Sequence, residues 1–330
     1  MAEPDPIERL LPASLRAALA RRELVVRRPV VGVRHGVHRS PRPGVGRDFR
    51  DYRPYVPGDD PRRLDWRAAA RSQRLVVRQT ESEDELDLVL LVDGSGGMDY
   101  GEAEARKWAR AGTIAAALTS LALRQGDRVG LGLARAGRLE LDALEPAARR
   151  DRLRHVAEHF ATPAVGDASW PALLDAVGPR LRRRALVVVL SDFLDPGGVG
   201  PGDADAREAD EALLRDLTSL RAAGHDVALV QLLHRDELEF PLDRARVIEL
   251  EDPRGRRPTV EGPGASLRED YLARLDAHLS WLERGCERGG LLLVRTPTDG
   301  DPVHQVLDLL GRLAGQASDA IVHAEPEAGR

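Results

Sequence analysis

The chain is 330 residues long, 42% hydrophobic and 31% charged, with a formal net charge of −5. That composition describes a globular protein with ample material for a core, and it excludes a collagen-like or disordered chain. The single cysteine, Cys286, excludes an intrachain disulfide, and no apolar run approaches the roughly 18 residues that a membrane-crossing helix needs.

The start, MAEPDPIERLLPASLRAALA, is acidic and then amphipathic, without a basic n-region or an uninterrupted apolar stretch. With the lone cysteine, this leads us to expect a cytoplasmic protein. Charge is uneven along the chain: residues 1–80 hold 18 arginines against nine acidic residues, an excess of +9 that leaves −14 for the remainder. A basic arm on an acidic body is one signature of nucleic-acid binding, though mutual attraction of two halves of one molecule explains it more simply. Lys107 is the one lysine among 49 Lys and Arg residues, which reads as a coding bias rather than a function.

In chain order, Leu11, Leu15, Ala18 and Leu19 share a helical face, and an arginine-rich extended segment containing His35 and His38 follows over 24–39. Asp60 and Pro61 form a helix start, with aspartate as cap and proline at the first helical position. The helix they open carries Arg63, Arg67 and Arg71 as a stripe, with Leu64 and Ala68 inward. A short strand is expected over 75–78. An acidic run over 81–85 then leads into the apolar strand 86–93. Beyond it the pattern predicts helix 102–124, strand 127–134, an edge strand 138–141, and helices 146–160 and 169–181. A second fully apolar strand covers 185–190, and a Gly-rich loop leads to helix 206–223. The remaining elements are strand 227–233, a hairpin within 246–260, helix 267–288, strand 291–295 and helix 302–314. Residues from 322 on form an expected disordered tail. Alternating strands and helices without repeats predict a doubly wound, mostly parallel central sheet flanked by helices. We place this α/β domain at 83–330, with residues 1–82 as a small N-terminal segment packing on it.

The stretch LDLVLLVDGSGGMDY, residues 86–100, is the centre of this layout. An apolar run of that length fits a strand buried on both faces, and its carboxyl end is where open α/β sheets bind ligands. Asp93 and Ser95 sit there, and Asp192 closes the apolar strand 185–190. Two carboxylates about 5 Å apart repel by roughly 3 kcal/mol at an effective dielectric near 20, so such a pair wants a cation, a shared proton or an arginine.

Gly46-Arg47-Asp48-Phe49, then RDYRPY over 50–55, then Gly58-Asp59-Asp60-x-Arg62-x-x-Asp65-Trp66-x-x-x-Ala70-Arg71 precede a strand ending in Asp-x-Ser. This string resembles the family called domain of unknown function 58. The resemblance implies a von Willebrand factor A-like domain and a partnership with a MoxR-type AAA+ ATPase in protein maturation or remodelling. It also marks Arg62, Asp65, Trp66 and Arg71 as interaction residues. Adhesion sites of such domains hold a divalent cation with Asp-x-Ser-x-Ser, a threonine from a second loop and an aspartate from a third. The resemblance therefore implies an Mg²⁺ or Mn²⁺ site at Asp93, Ser95 and Asp192, hard oxygen ligands of the kind these ions take. Gly97 stands in place of the second serine, and Asp167 is the second-loop candidate where a threonine is wanted.

Three rival readings start from the same residues. Asp93-Gly94-Ser95-Gly96-Gly97 differs from the nucleophile elbow at its first position only, so a serine hydrolase would take Ser95 with His304 or His323 and Asp226 or Asp192. Against it, a loop through Gly101 separates the serine from the next helix. Metal-dependent nuclease chemistry would use Asp59, Asp60 and Asp65, which capping and pairing with Arg62, Arg63 or Arg67 explain more simply. Nucleic-acid binding would use the arginine-rich arm. Trp66, Trp108, Trp170 and Trp281 read as packing anchors, His155 and His159 as surface residues, and Cys286 as non-catalytic. We therefore expect a non-catalytic interaction module.

Overall fold

The computed structural model describes residues 5–26, 49–55, 76–80, 86–141, 144–149, 151–194, 204–241, 246–252 and 259–315. The chain forms two compact units, Arg28–Glu85 on the one hand and Met1–Arg27 with Leu86–Arg330 on the other.

The larger unit begins with α1 (Pro6–Leu10) and α2 (Ala13–Leu19). In the smaller unit, β1 (Phe49–Pro54) and β2 (Val76–Thr80) pair antiparallel, with an irregularity between Phe49 and Asp51. The helix expected from Asp60, with Arg62, Asp65, Trp66 and Arg71, lies outside the described residues, as does the tail from 322.

The larger unit continues with β3 (Asp87–Asp93), α3 (Lys107–Gln125), β4 (Arg128–Arg135), β5 (Arg138–Glu140), α4 (Arg152–Ala161) and α5 (Trp170–Val177). Next come β6 (Ala185–Ser191), α6 (Ala204–Ala222), β7 (Asp226–Leu233) and α7 (Arg235–Glu239). A separate antiparallel hairpin of β8 (Val247–Leu250) and β9 (Val260–Pro263) leads to α8 (Gly264–Gly289), β10 (Leu292–Pro297) and α9 (Pro302–Leu313).

Six strands form the central sheet in the order β10-β7-β6-β3-β4-β5, all parallel except β5, which runs against β4. Counting from β3, this is the 3-2-1-4-5-6 order of a doubly wound sheet, and winding reverses between β3 and β6. The fold is thus the doubly wound α/β architecture expected from the alternation of elements.

Side chains on β3 alternate between two cores. Leu88, Leu90 and Val92 join Ile114, Leu118 and Leu121 of α3 and Leu309 of α9. Val89 and Leu91 join Trp170 and Leu173 of α5, Leu217 of α6 and Leu282 of α8. Both faces are covered, so the strand reads as a continuous apolar run; each such buried side chain contributes about 1.5–3 kcal/mol.

Residues 1–82 were expected as one N-terminal segment, yet residues 5–26 belong to the body. Leu10, Leu11, Leu15, Leu19 and Leu24 are buried in the α3 core, and the Leu24 amide donates to Gln125 Oε1 at 2.7 Å. Two other boundaries move. The helix expected from residue 102 begins at Lys107, because Gly101 and Ala103 adopt positive φ (104° and 45°) and only a short 3₁₀ turn, Ala103–Ala105, precedes it. The helix expected over 146–160 begins at Arg152, because Ala147 is bridged to Val129 beside the sheet.

Cys286 is buried in α8 and its thiol is pushed up to about 12, chiefly by burial. The thiolate is the reactive form. Native protein at pH 8 is therefore expected to resist a disulfide-exchange reagent such as DTNB that labels it stoichiometrically in denaturant; rapid labelling of native protein would contradict the packing.

Candidate functional site

The carboxyl ends of β3 and β6 carry groups singled out in the sequence. β3 and β6 are hydrogen-bonded neighbours through Val92 and Leu190, so Asp93 and Ser191-Asp192 emerge side by side at the point where winding reverses. Asp93 is buried. Its Oδ1 accepts from the Ser95 amide at 2.8 Å, and its Oδ2 accepts from Ser191 Oγ at 2.6 Å. Ser191 Oγ also accepts the Phe193 amide at 3.0 Å, so one hydroxyl ties the two loops together.

Close backbone approach holds the Asp93–Gly97 loop. The Gly94 amide donates to Ala134 O at 2.8 Å, the Val165 amide to Gly94 O at 2.9 Å, and the Gly96 amide to Gly166 O at 2.9 Å. The segment expected as the second loop is thus brought against the first by main-chain bonds. Within it, the Asp167 carboxylate accepts the Ala168 amide at 2.7 Å, and its carbonyl accepts from Gly137.

A buried ammonium lies at this end of the sheet. Lys107 opens α3, and because helical side chains lean toward the helix start, its Nζ reaches back to the strand ends. Nζ lies 2.9 Å from Asp192 Oδ2 and 2.5 Å from Glu237 Oε1, with the three side chains only 1%, 3% and 15% exposed. The Tyr100 ring covers it at 5.9 Å. Burial pulls the ammonium down, but Asp192 and Glu237 outweigh it and hold its pKa above the ordinary lysine value. Burial raises the Glu237 carboxyl in spite of Lys107, with Asp192 adding to the rise. Lys107 is therefore a fixed positive charge, and Glu237 takes up a proton more readily than an ordinary glutamate.

Both carboxylates are themselves held in place. Asp192 Oδ1 accepts the Leu194 amide at 3.1 Å, and Glu237 Oε2 accepts the His234 amide at 2.8 Å in the capping box that opens α7. The Tyr100 hydroxyl reaches Asp236 at 3.2 Å and its ring packs edge-on against His234.

This arrangement does not fit a resident divalent ion. Mg²⁺ demands oxygen ligands at about 2.0–2.1 Å in near-octahedral array, whereas Asp192 Oδ2 already carries an ammonium at 2.9 Å and Gly97 brings no side-chain oxygen. Among the described residues no group of three or more His, Cys, Asp or Glu side chains is disposed to hold a metal.

The hydrolase constellation does not assemble from the described residues. Asp226 begins β7, at the opposite end of the sheet from Ser95, and is paired with Arg184 at 2.6 Å. His304 is bound to Asp301 within its own helix cap at 2.5 Å, while His323 lies outside the described residues. Asp59, Asp60, His35 and His38 also lie outside them, as does most of the arginine-rich arm. His155 and His159 do meet, Nε2 to Nε2 at 3.3 Å, with Glu140 on His159 Nδ1 at 2.8 Å. Trp108 and Trp170 are packed in the cores as expected.

The family model described as "Protein of unknown function DUF58" matches residues 51–280. The chain belongs to the DUF58 family. Within the family likeness, uncharacterized proteins of Mycobacterium tuberculosis and Mycobacterium bovis are 30% identical to it over 308 residues, covering 91% of this chain and 92% of theirs. Among solved structures, the chain is similar to the SpRpn10 VWA domain at 12% identity and a TM-score of 0.36, covering 68% of this chain and 95% of that one. It is also similar to the pilus adhesin SpaC from Lactobacillus rhamnosus GG at 15% identity and a TM-score of 0.35, over 46% of this chain and 25% of that one.

Lys107 and Glu237 were missed in the sequence. One signal for Lys107 was present: a single lysine survives in a chain that otherwise uses arginine. A compact ammonium on a flexible stem and a broad planar guanidinium are not interchangeable in a closed space.

Proposed function

We propose that this DUF58 chain is a non-catalytic protein-interaction module that acts in the cytoplasm with a MoxR-type AAA+ ATPase in the maturation or remodelling of a client protein. One observation supports this most directly. At the sheet edge where an α/β enzyme would keep its reactive groups available, Asp192, Glu237 and Lys107 are buried against one another. Asp93 is braced by Ser95 and Ser191 in the same way. Such an edge is built to hold loops in a fixed shape, which suits recognition by surface. The exposed rim around it carries Tyr100, Glu102, Glu104 and Asp299, side chains suited to meeting a polar or basic partner surface.

Co-purification of a MoxR-type ATPase with tagged chain tests the reading. Wild type is expected to retain the ATPase, and the pair Tyr100→Ala with Glu104→Arg is expected to weaken retention at least about tenfold, as loss of a contact aromatic and reversal of a rim charge do. Equal retention by both proteins would rule out this edge as the contact. A fluorophosphonate probe gives the orthogonal check, with no Ser95-dependent labelling expected; labelling abolished by Ser95→Ala would restore the hydrolase reading.

A further inference from the structure

We infer that the Lys107 ammonium is the permanent cation of this site, taking the charge-balancing role that a divalent ion has in cation-dependent adhesion sites, so that the edge keeps its shape without metal. Geometry supplies the first argument. Lys107 on α3 joins Asp192, which follows β6, to Glu237 at the start of α7 after β7. The ammonium on the helix that follows β3 therefore ties itself to the segments that follow β6 and β7, across the winding reversal. Enclosure supplies the second: Lys107 is 1% exposed, and a partner's carboxylate has no path to it. A divalent ion with an open position invites an acidic side chain of a partner to complete its coordination. A buried ammonium already shared between two carboxylates offers no such position.

The donor set gives a third argument. An ammonium has three N–H donors and accepts irregular geometry, whereas Mg²⁺ requires six oxygens in near-octahedral array. Two of those donors are accounted for by Asp192 and Glu237, and the Tyr100 ring borders the same charge at 5.9 Å, as cations on aromatic faces do. Gly97, which removes a metal ligand, removes nothing that an ammonium uses. This deepens the proposed interaction reading, because contact with the partner would then be independent of metal, but the site chemistry can be tested without any partner.

The test titrates Mn²⁺ and Mg²⁺ into purified full-length chain by calorimetry and compares thermal melts in Mg²⁺ and in chelator, for wild type, Lys107→Ala, Lys107→Ala/Asp192→Asn and Glu237→Gln. Wild type is expected to give no binding heat and the same melting temperature in both buffers. Lys107→Ala is expected to melt lower in chelator, to be shifted back upward by divalent ion, and to bind Mn²⁺ at least about tenfold more tightly than wild type, with the gain lost in Lys107→Ala/Asp192→Asn. Stoichiometric Mn²⁺ binding by wild type would overturn the inference, and so would a Lys107→Ala melt indifferent to divalent ions. If Lys107→Ala does not fold, Glu237→Gln carries the comparison. It keeps the ammonium on Asp192 and is expected to stay silent to metal; metal binding by it would equally overturn the inference. Loss of ATPase co-purification with these metal results unchanged would fault the partner reading alone.

Discussion

Lys107→Met is expected to destabilise the protein by about 3–5 kcal/mol at neutral pH, the usual cost of removing one partner from a buried ion pair. Methionine fills most of the lysine stem's volume, so the loss is electrostatic rather than a cavity. Asp192 and Glu237 remain, 3% and 15% exposed, with no ammonium between them. Urea denaturation measures the loss, and a change below about 1 kcal/mol would show that the carboxylates find other compensation. The pH profile identifies the cause. In the wild type the Lys107 pKa is raised in the folded state, so its contribution is fully present below the unfolded lysine value near 10.4. That contribution is lost as pH climbs through the higher folded value, and Lys107→Met is expected to lack this alkaline loss. Glu237, also raised, favours the folded state below its unfolded value, near 4.3, and that preference fades as pH rises through its folded value. Without Lys107 the rise is larger, so the deficit of the variant is expected to shrink as the pH is lowered from neutrality and Glu237 takes up its proton. A triple variant, Lys107→Met with Asp192→Asn and Glu237→Gln, is expected to recover part of the stability, since neutral groups tolerate burial better than an unpaired charge.

Gly94→Ala is the second large effect, expected to cost about 1–3 kcal/mol, the range for overfilling a packed site. A Cβ on Gly94 would stand 2.9 Å from Ala134 O and 2.8 Å from Arg135 Cβ, and the first of these is backbone that cannot swing away. Relief requires the Asp93–Gly97 loop to move off β4. That would stretch the Gly94 to Ala134 and Val165 to Gly94 bonds and shift Ser95 and Asp93 relative to Ser191. Thermal denaturation together with the co-purification assay separates the outcomes: lower stability with weaker retention is expected. Wild-type stability would mean that the close approach is not a constraint. The first glycine of LVDGSGG is thus needed for space, a role independent of any cation chemistry in the motif.

Much of this architecture is written in local pattern. Apolar runs at 86–93 and 185–190 mark strands buried on both faces, because period-2 alternation vanishes when helices cover both sides of a sheet. Alternation of strands and helices then determines a doubly wound sheet. An aspartate at the end of each of two paired strands puts Asp93 and Asp192 at one end of the sheet, where Ser191 Oγ donates to Asp93. Amphipathic periodicity also showed that Leu11, Leu15 and Leu19 share a face. It did not show what that face meets, and only the folded chain places it on α3 and in the body. The same limit explains the cation. Lys107 is 85 residues from Asp192 and 130 from Glu237, and no spacing rule connects groups at that separation. Their meeting depends on the order of strands in the sheet, on α3 starting at Lys107 instead of five residues earlier, and on the backward lean of a helical side chain. Sequence by itself pointed to a cation, a shared proton or an arginine for Asp93 and Asp192; tertiary structure puts Lys107 on Asp192 and Glu237 and a serine hydroxyl on Asp93, because long-range partners are chosen by topology and enclosure rather than by neighbours along the chain.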